Sequence, residues 1–217
     1  MSELIIIAGP QAAGKSTAIA RLNEQYQSIS PLFGRRQKPL IFPLQESRQI
    51  VVHAHMLLGA IFMTPEHEQE VVAWDFKRMD TLAERKKDRI VYLDECNVFT
   101  IAHAMAHGID AVKIHWSDYV QRLQRLNAKV IFLNVPPDLS WERRRRRYEQ
   151  RLVYFPKKEH GRIMASYKNY LAQVHPLLKD VYSRLPIPKR FIDARQPNKV
   201  VLEEVSQSLA ELSTAFR

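Results

Sequence analysis

The stretch 4–17, LIIIAGPQAAGKST, limits what this chain can be more than any other. Leu4, Ile5, Ile6 and Ile7 predict a buried strand, and Gly9, Gly14, Lys15 and Ser16 then fit the spacing G-x-x-x-x-G-K-[ST]. Phosphate chemistry explains that spacing. The glycines let the backbone curl until successive N–H groups point at phosphate oxygens, and the first turn of the next helix adds partial positive charge. In such a loop Lys15 reaches the β- and γ-phosphates and the Ser16 hydroxyl ligates Mg²⁺, while Gly9, Gln11, Ala12, Ala13, Gly14 and Thr17 complete the anion cradle. The strand before the loop and the helix-compatible TAIARLNEQY after it set it apart from an ordinary glycine turn.

With 217 residues, the chain has room for one α/β domain, 1–217, with a full core. One cysteine, Cys96, excludes an intramolecular disulfide framework and points to a reducing cytosol. LIIIA leads straight into the phosphate loop, and no apolar run approaches 18 residues, so neither secretion nor membrane spanning is expected. The net charge of +10 suits a polyanionic substrate or a nucleic acid, and much of it is concentrated in Arg143, Arg144, Arg145, Arg146, Arg147 and Arg151.

Apolar periodicity predicts a helix over 15–26, a short strand over 40–42, and a long helix ending before RIVYLDE, with Val72, Phe76, Met79 and Ala83 on its buried stripe. A third strand covers 90–93. NVFTIAHAMAHGID reads as a helix stopped at Gly108, and SDYVQRLQRLN as another with Ser117 as N-cap. A fourth strand over 130–134 stops at two prolines. A helix over 162–182, a short strand at Phe191 and Ile192, and a last helix with Val201, Val205, Leu209, Leu212 and Phe216 on one stripe follow. Strands alternating with helices predict a mostly parallel sheet in three layers.

Three clusters carry chemistry. Asp94, at the tip of an apolar strand, suits the acid that holds the Mg²⁺ water shell. Glu95 beside it suits a base that takes a proton from a hydroxyl or water and would repel a dianionic phosphate monoester; the competing role is tying down a loop. In WERRRRRYEQR, Arg143, Arg147 and Arg151 share a helical face, which suits a lid over about 141–160 closing on the γ-phosphate. A solvated basic helix and a weaker nucleic-acid contact are the alternatives. Glu46 and Arg48 follow the second strand, at the sheet edge where such folds bind ligands, though a solvated turn explains them as well. Trp74 or Phe76 could stack on a substrate base and Arg78 could hold its phosphate, with core packing the stronger reading for the two aromatics. His103 and His107 lack the further ligand a zinc site needs and read as surface or ring-packing residues.

Taken in order, GPQAAGKST, VYLDECNVFTIAHAMA, VIFLNVPPDLSWERRRRRYEQR and FIDARQPNKVVLEEV resemble the phosphate-loop kinases of the thymidylate kinase and deoxynucleoside kinase group. The resemblance implies a three-layer P-loop NTPase fold with a five-stranded sheet of order 2-3-1-4-5, often a homodimer, with the loop at Asp193, Ala194, Arg195, Gln196 and Pro197 near the adenine. Asp94 matches the thymidylate kinase pattern, whereas Glu95 stands where that pattern has the arginine for an acceptor phosphate, and Cys96 where it has an aromatic residue. Glu46 stands comparably to the base glutamate of deoxynucleoside kinases, whose Glu-Arg-Ser motif Asp94, Glu95 and Cys96 do not reproduce. The expected activity is a cytoplasmic, ATP- and Mg²⁺-dependent phosphotransferase acting on a nucleoside or nucleotide, with Glu95 or Glu46 as base and Arg143 or Arg147 on the lid. Its rivals are a kinase of a non-nucleotide acceptor and an ATP-hydrolysing switch with a protein or nucleic-acid partner.

Overall fold

The computed structural model describes residues 3–29, 40–42, 65–85, 90–94 and 98–214. Its strands are β1 (Glu3–Ala8), β2 (Leu40–Phe42), β3 (Ile90–Asp94), β4 (Ala128–Asn134) and β5 (Lys189–Asp193). They pair in parallel throughout, in the order β2-β3-β1-β4-β5. The helices are α1 (Lys15–Ile29), α2 (Pro65–Arg85), α3 (Val98–Ala106), α4 (Ala111–Arg125), α5 (Pro137–Arg151), α6 (His160–Arg184) and α7 (Asn198–Thr214).

Alternation along β1 sorts the core into two layers. Leu4, Ile6 and Ala8 face a cluster with Ala128, Val130 and Phe132 of β4 and residues of α2, α3, α4 and α6. Ile5 and Ile7 face the opposite side, with Ile131, Leu133, Ala18 and Ile19 of α1, and Val201 and Val205 of α7. Both faces of β1 are therefore covered, and its residues 4–8 are fully buried, which is why the strand reads as an unbroken aliphatic run. Each buried isoleucine or leucine contributes on the order of 2 kcal/mol, so β1 anchors the loop that follows it.

The long helix carries its predicted stripe, with Val72 and Met79 buried and Phe76 and Ala83 partly so. Buried polar groups share that stripe. Asp75 accepts hydrogen bonds from the Thr100 hydroxyl of α3 (3.2 Å) and the Tyr119 hydroxyl of α4 (3.1 Å), and Glu68 pairs with His115 at 2.9 Å. Acceptors matched to donors on two other helices fix how α2, α3 and α4 meet.

One helix start differs from the sequence expectation. The helix after Gly108 begins at Ala111, so Ser117 lies inside it, exposed, and the cap is Asp110, whose Oδ1 accepts from the Lys113 amide at 3.3 Å. Gly108 (φ +78°) ends α3 in a tight reversal that leaves room for only a short link, and Ala111 is fully buried, so the helix must begin there.

Candidate functional site

The carboxyl ends of β1, β3, β4 and β5 lie along one sheet edge, and the loop 9–14 leaves β1 at its centre. Gly9 (φ +141°) and Gly14 (φ +94°) adopt backbone conformations that side chains resist. At Gly9 a Cβ would also collide with the Leu133 carbonyl, so the loop can pass this close to β4 only with glycine there. Ala12 takes a left-handed conformation too, at φ +59°. Lys15, mostly buried in the first turn of α1, turns its ammonium back onto the carbonyls of Gly9 (2.8 Å) and Pro10 (2.9 Å). The cation is thereby held over the loop.

The arginine-rich segment is helix α5, followed by two 3₁₀ turns, Leu152–Tyr154 and Lys157–Glu159. Its inner face lies on the phosphate loop. The Ser140 hydroxyl donates to the Gln11 carbonyl (2.6 Å), and Arg143 donates to the carbonyls of Ala12 (3.2 Å) and Ala194 (3.0 Å). The Gln11 Oε1 accepts from Arg144 (3.3 Å), from the Tyr148 hydroxyl (2.6 Å) and from the Tyr167 hydroxyl of α6. The Tyr148 and Tyr167 hydroxyls also lie in contact, each with its single proton on Gln11, and their rings lie 4.0 Å apart beneath Trp141. Burial, reinforced by Tyr148, pushes the Tyr167 hydroxyl well above its ordinary pKa, so it is a donor at any physiological pH. Arg145 pairs with Glu149, whereas Arg147 is exposed and has no partner among the described residues.

His175 of α6 is buried near the same loop, its Nδ1 donating to the Val135 carbonyl (3.2 Å) just past β4. Burial lowers its pKa to about 4, and the charge of Lys15 acts in the same direction. Beyond β5, Arg195 grips Asp193 with Nε 2.9 Å from both carboxylate oxygens and holds that carboxyl down to about 2.

Asp94 ends β3 opposite Ile7 of β1, which sets its backbone beside the start of the phosphate loop. Ser16 follows Lys15 in the first turn of α1. Glu46, Arg48, Glu95 and Cys96 lie outside the described residues, as do the side chains of Trp74, Arg78, Asp94 and Arg151. Phe76 packs edge-on against Tyr119 (4.7 Å between centroids) with the Arg122 guanidinium 4.0 Å above its ring, a contact between α2 and α4. His103 and His107 join a ring cluster with Phe99 and Tyr170. Among the described residues no group of three His, Cys, Asp or Glu side chains could hold a metal ion, and no helix is long and apolar enough to cross a membrane.

No protein-family model matches the sequence, and no curated protein does. Solved structures do match in shape. A deoxyadenosine kinase from M. mycoides with products dCMP and a flexible dCDP bound aligns with a TM-score of 0.61 at 15% identity, over 96% of this chain and 99% of that one. The same enzyme with dATP gives 0.62 at 15%, over 95% and 99%. The YorR protein of Bacillus subtilis, in complex with phosphorylated GDP, gives 0.53 at 17%, over 99% of each chain. This chain has their fold. The likeness spans nearly the whole chain. Ser140 and Tyr148 of α5 and Tyr167 and His175 of α6 go beyond the residues singled out from sequence, where only the density of arginines pointed to α5.

Proposed function

We propose that this protein is an ATP- and Mg²⁺-dependent phosphotransferase, cytosolic in setting, that phosphorylates a nucleoside or nucleotide. The observation that carries this reading is Lys15, whose ammonium is held 2.8 Å and 2.9 Å from two carbonyls of a glycine-shaped loop at the open edge of a parallel sheet. A nucleoside triphosphate entering that loop exchanges those neutral acceptors for anionic phosphate oxygens, a stronger partner for an ammonium. The loop amides and the first turn of α1 then face the β- and γ-phosphates.

The Ser16 hydroxyl and the carboxylate that Asp94 carries are hard oxygen donors and suit Mg²⁺, which keeps several waters and takes few protein ligands. The ion supplies neutralisation of charge developing on the phosphate oxygens. Glu95 or Glu46 accepts the proton of the acceptor hydroxyl, and Arg48 and Arg78 serve the acceptor. Arg195 borders the donor base, and Arg147, exposed on α5 four residues on from Arg143, serves the transferred group. The deoxynucleoside kinase fold favours a nucleoside acceptor, and Glu95, unlike an arginine at that place, offers nothing to an incoming phosphate monoester.

The test is ATP consumption with Mg²⁺ by purified protein against a panel of nucleosides and nucleoside monophosphates, following product mass. A phosphorylated nucleoside is expected. Hydrolysis of ATP with no phosphorylated product would move the protein to the ATPase-switch class, and a nucleoside diphosphate product would exclude Glu95 as a barrier to monophosphates.

A further inference from the structure

The geometry points to Arg143 as a positioning residue that staples the phosphate loop to the loop after β5, and so sets the width of the cleft receiving the nucleoside half of the donor nucleotide. The inference rests on reading this cleft as a nucleoside-triphosphate site.

Arg143 divides its guanidinium between two backbone carbonyls far apart in sequence, Nη1 to Ala12 at 3.2 Å and Nη2 to Ala194 at 3.0 Å. Ala12 belongs to the phosphate loop and stands in a left-handed conformation (φ +59°) that an alanine keeps only when its surroundings hold it. Ala194 is buried, and its amide donates to the Asn134 carbonyl (2.8 Å) at the end of β4, so this anchor is itself fixed. A rigid, planar fork bonded at both ends holds the two loops at one separation.

The direction of the ligand follows from strand order. Asp94, the metal-side acid of the proposed site, ends β3 on one side of β1, whereas β4 and β5 lie on the other. With the γ-phosphate toward β3, the sugar and base extend over the β4 and β5 ends, about 5 to 10 Å away at ordinary strand spacing. Arg143 spans that interval. Turning it onto a phosphate would break both carbonyl bonds and release Ala12, a rearrangement that Arg147, exposed and one helical turn on, does not require.

Calorimetric titration with Mg·ATP and with Mg·tripolyphosphate, which has no base or sugar, separates positioning from phosphate contact. Arg143→Ala is expected to weaken ATP binding about tenfold while tripolyphosphate affinity stays within about twofold of wild type. Arg143→Lys, which can keep one of the two carbonyl bonds, should fall between; it also reads the same ratio if the alanine variant does not fold. Equal losses for both ligands would make Arg143 a phosphate ligand and overturn the inference while leaving the site reading intact. Unchanged affinity for both overturns it as well. If wild type binds neither ligand, the nucleotide reading falls and the inference falls with it.

Discussion

The Tyr148 hydroxyl lies 2.6 Å from Gln11 Oε1, joining the arginine-rich helix to the middle of the phosphate loop across 137 residues of sequence. Tyr167, from α6, donates to the same oxygen. One glutamine thus ties the loop to two helices, and the loop cannot shift without disturbing their packing.

Replacing that acceptor exposes the coupling. Gln11→Leu keeps similar volume but leaves the Tyr148 and Tyr167 hydroxyls, both nearly buried, to bond only each other. A loss of about 2 kcal/mol is expected, lowering Tm by about 4–8 °C in a domain of this size. Tyr167→Phe should cost less in that background than in wild type, because the hydroxyl it removes has already lost Gln11 and keeps only Tyr148. Strictly additive losses by chemical denaturation would show that the pair does not share Gln11.

The two loop glycines should respond differently to alanine. At Gly9 a Cβ meets backbone, the Leu133 carbonyl, and φ is +141°, so Gly9→Ala combines a collision with strain and should cost about 3 kcal/mol or more. At Gly14 no atom of the described residues, its chain neighbours aside, lies within 4 Å of the added carbon, leaving only the cost of φ +94°, about 1–2 kcal/mol. Thermal melts of the two variants test this ranking, and a Gly14→Ala protein less stable than Gly9→Ala would contradict it.

How far these relationships were visible in the sequence depends on whether a local pattern carries them. The aliphatic run of β1, the loop spacing and the stripe through Val72 and Met79 are local, and each appears in the structure where the pattern sets it. Gln11 has no such mark, because its partners sit 137 and 156 residues away. Five consecutive arginines make every face of α5 basic, so periodicity could not single out Ser140, Arg143, Arg144 and Tyr148 as the side that meets the loop. Ser117 was a plausible cap by residue type; the buried Ala111 and the reversal at Gly108 made Asp110 the cap instead. Glu68 and Asp75 carry no local mark of burial in the sequence, because their donors come from other helices.

Acid should weaken the fold partly through His175. Its folded pKa of about 4 lies below the ordinary value near 6.5, so the native state binds the neutral ring and the unfolded chain takes the proton first. Its contribution is fully present above about pH 6.5 and declines as pH falls to 4, by up to ~1.4 kcal/mol per pH unit and about 3 kcal/mol in all. Other groups titrate in this range, so the comparison is with His175→Gln. The stability gap between wild type and variant should narrow steadily from pH 7 to pH 4.5 in urea titrations, and parallel curves would assign the acid loss elsewhere.

Arg147 offers the sharpest kinetic test of the phosphotransferase reading. Arg143 and Arg144 are bonded to the phosphate loop and Arg145 to Glu149; Arg146 and Arg147 are both exposed with no partner among the described residues, and of the two Arg147 lies four residues on from Arg143, on the same helical face. A guanidinium that meets charge only as the phosphoryl group transfers stabilises the transition state and not bound ATP. Arg147→Ala is therefore expected to lower kcat by about 10²-fold or more while ATP affinity changes by less than about threefold. The variant should melt with wild type, since the side chain holds nothing in place. Equal losses in kcat and in ATP affinity would mean that Arg147 binds the ground-state phosphates, and unchanged turnover would return Arg147 to the role of a solvated charge on a basic helix.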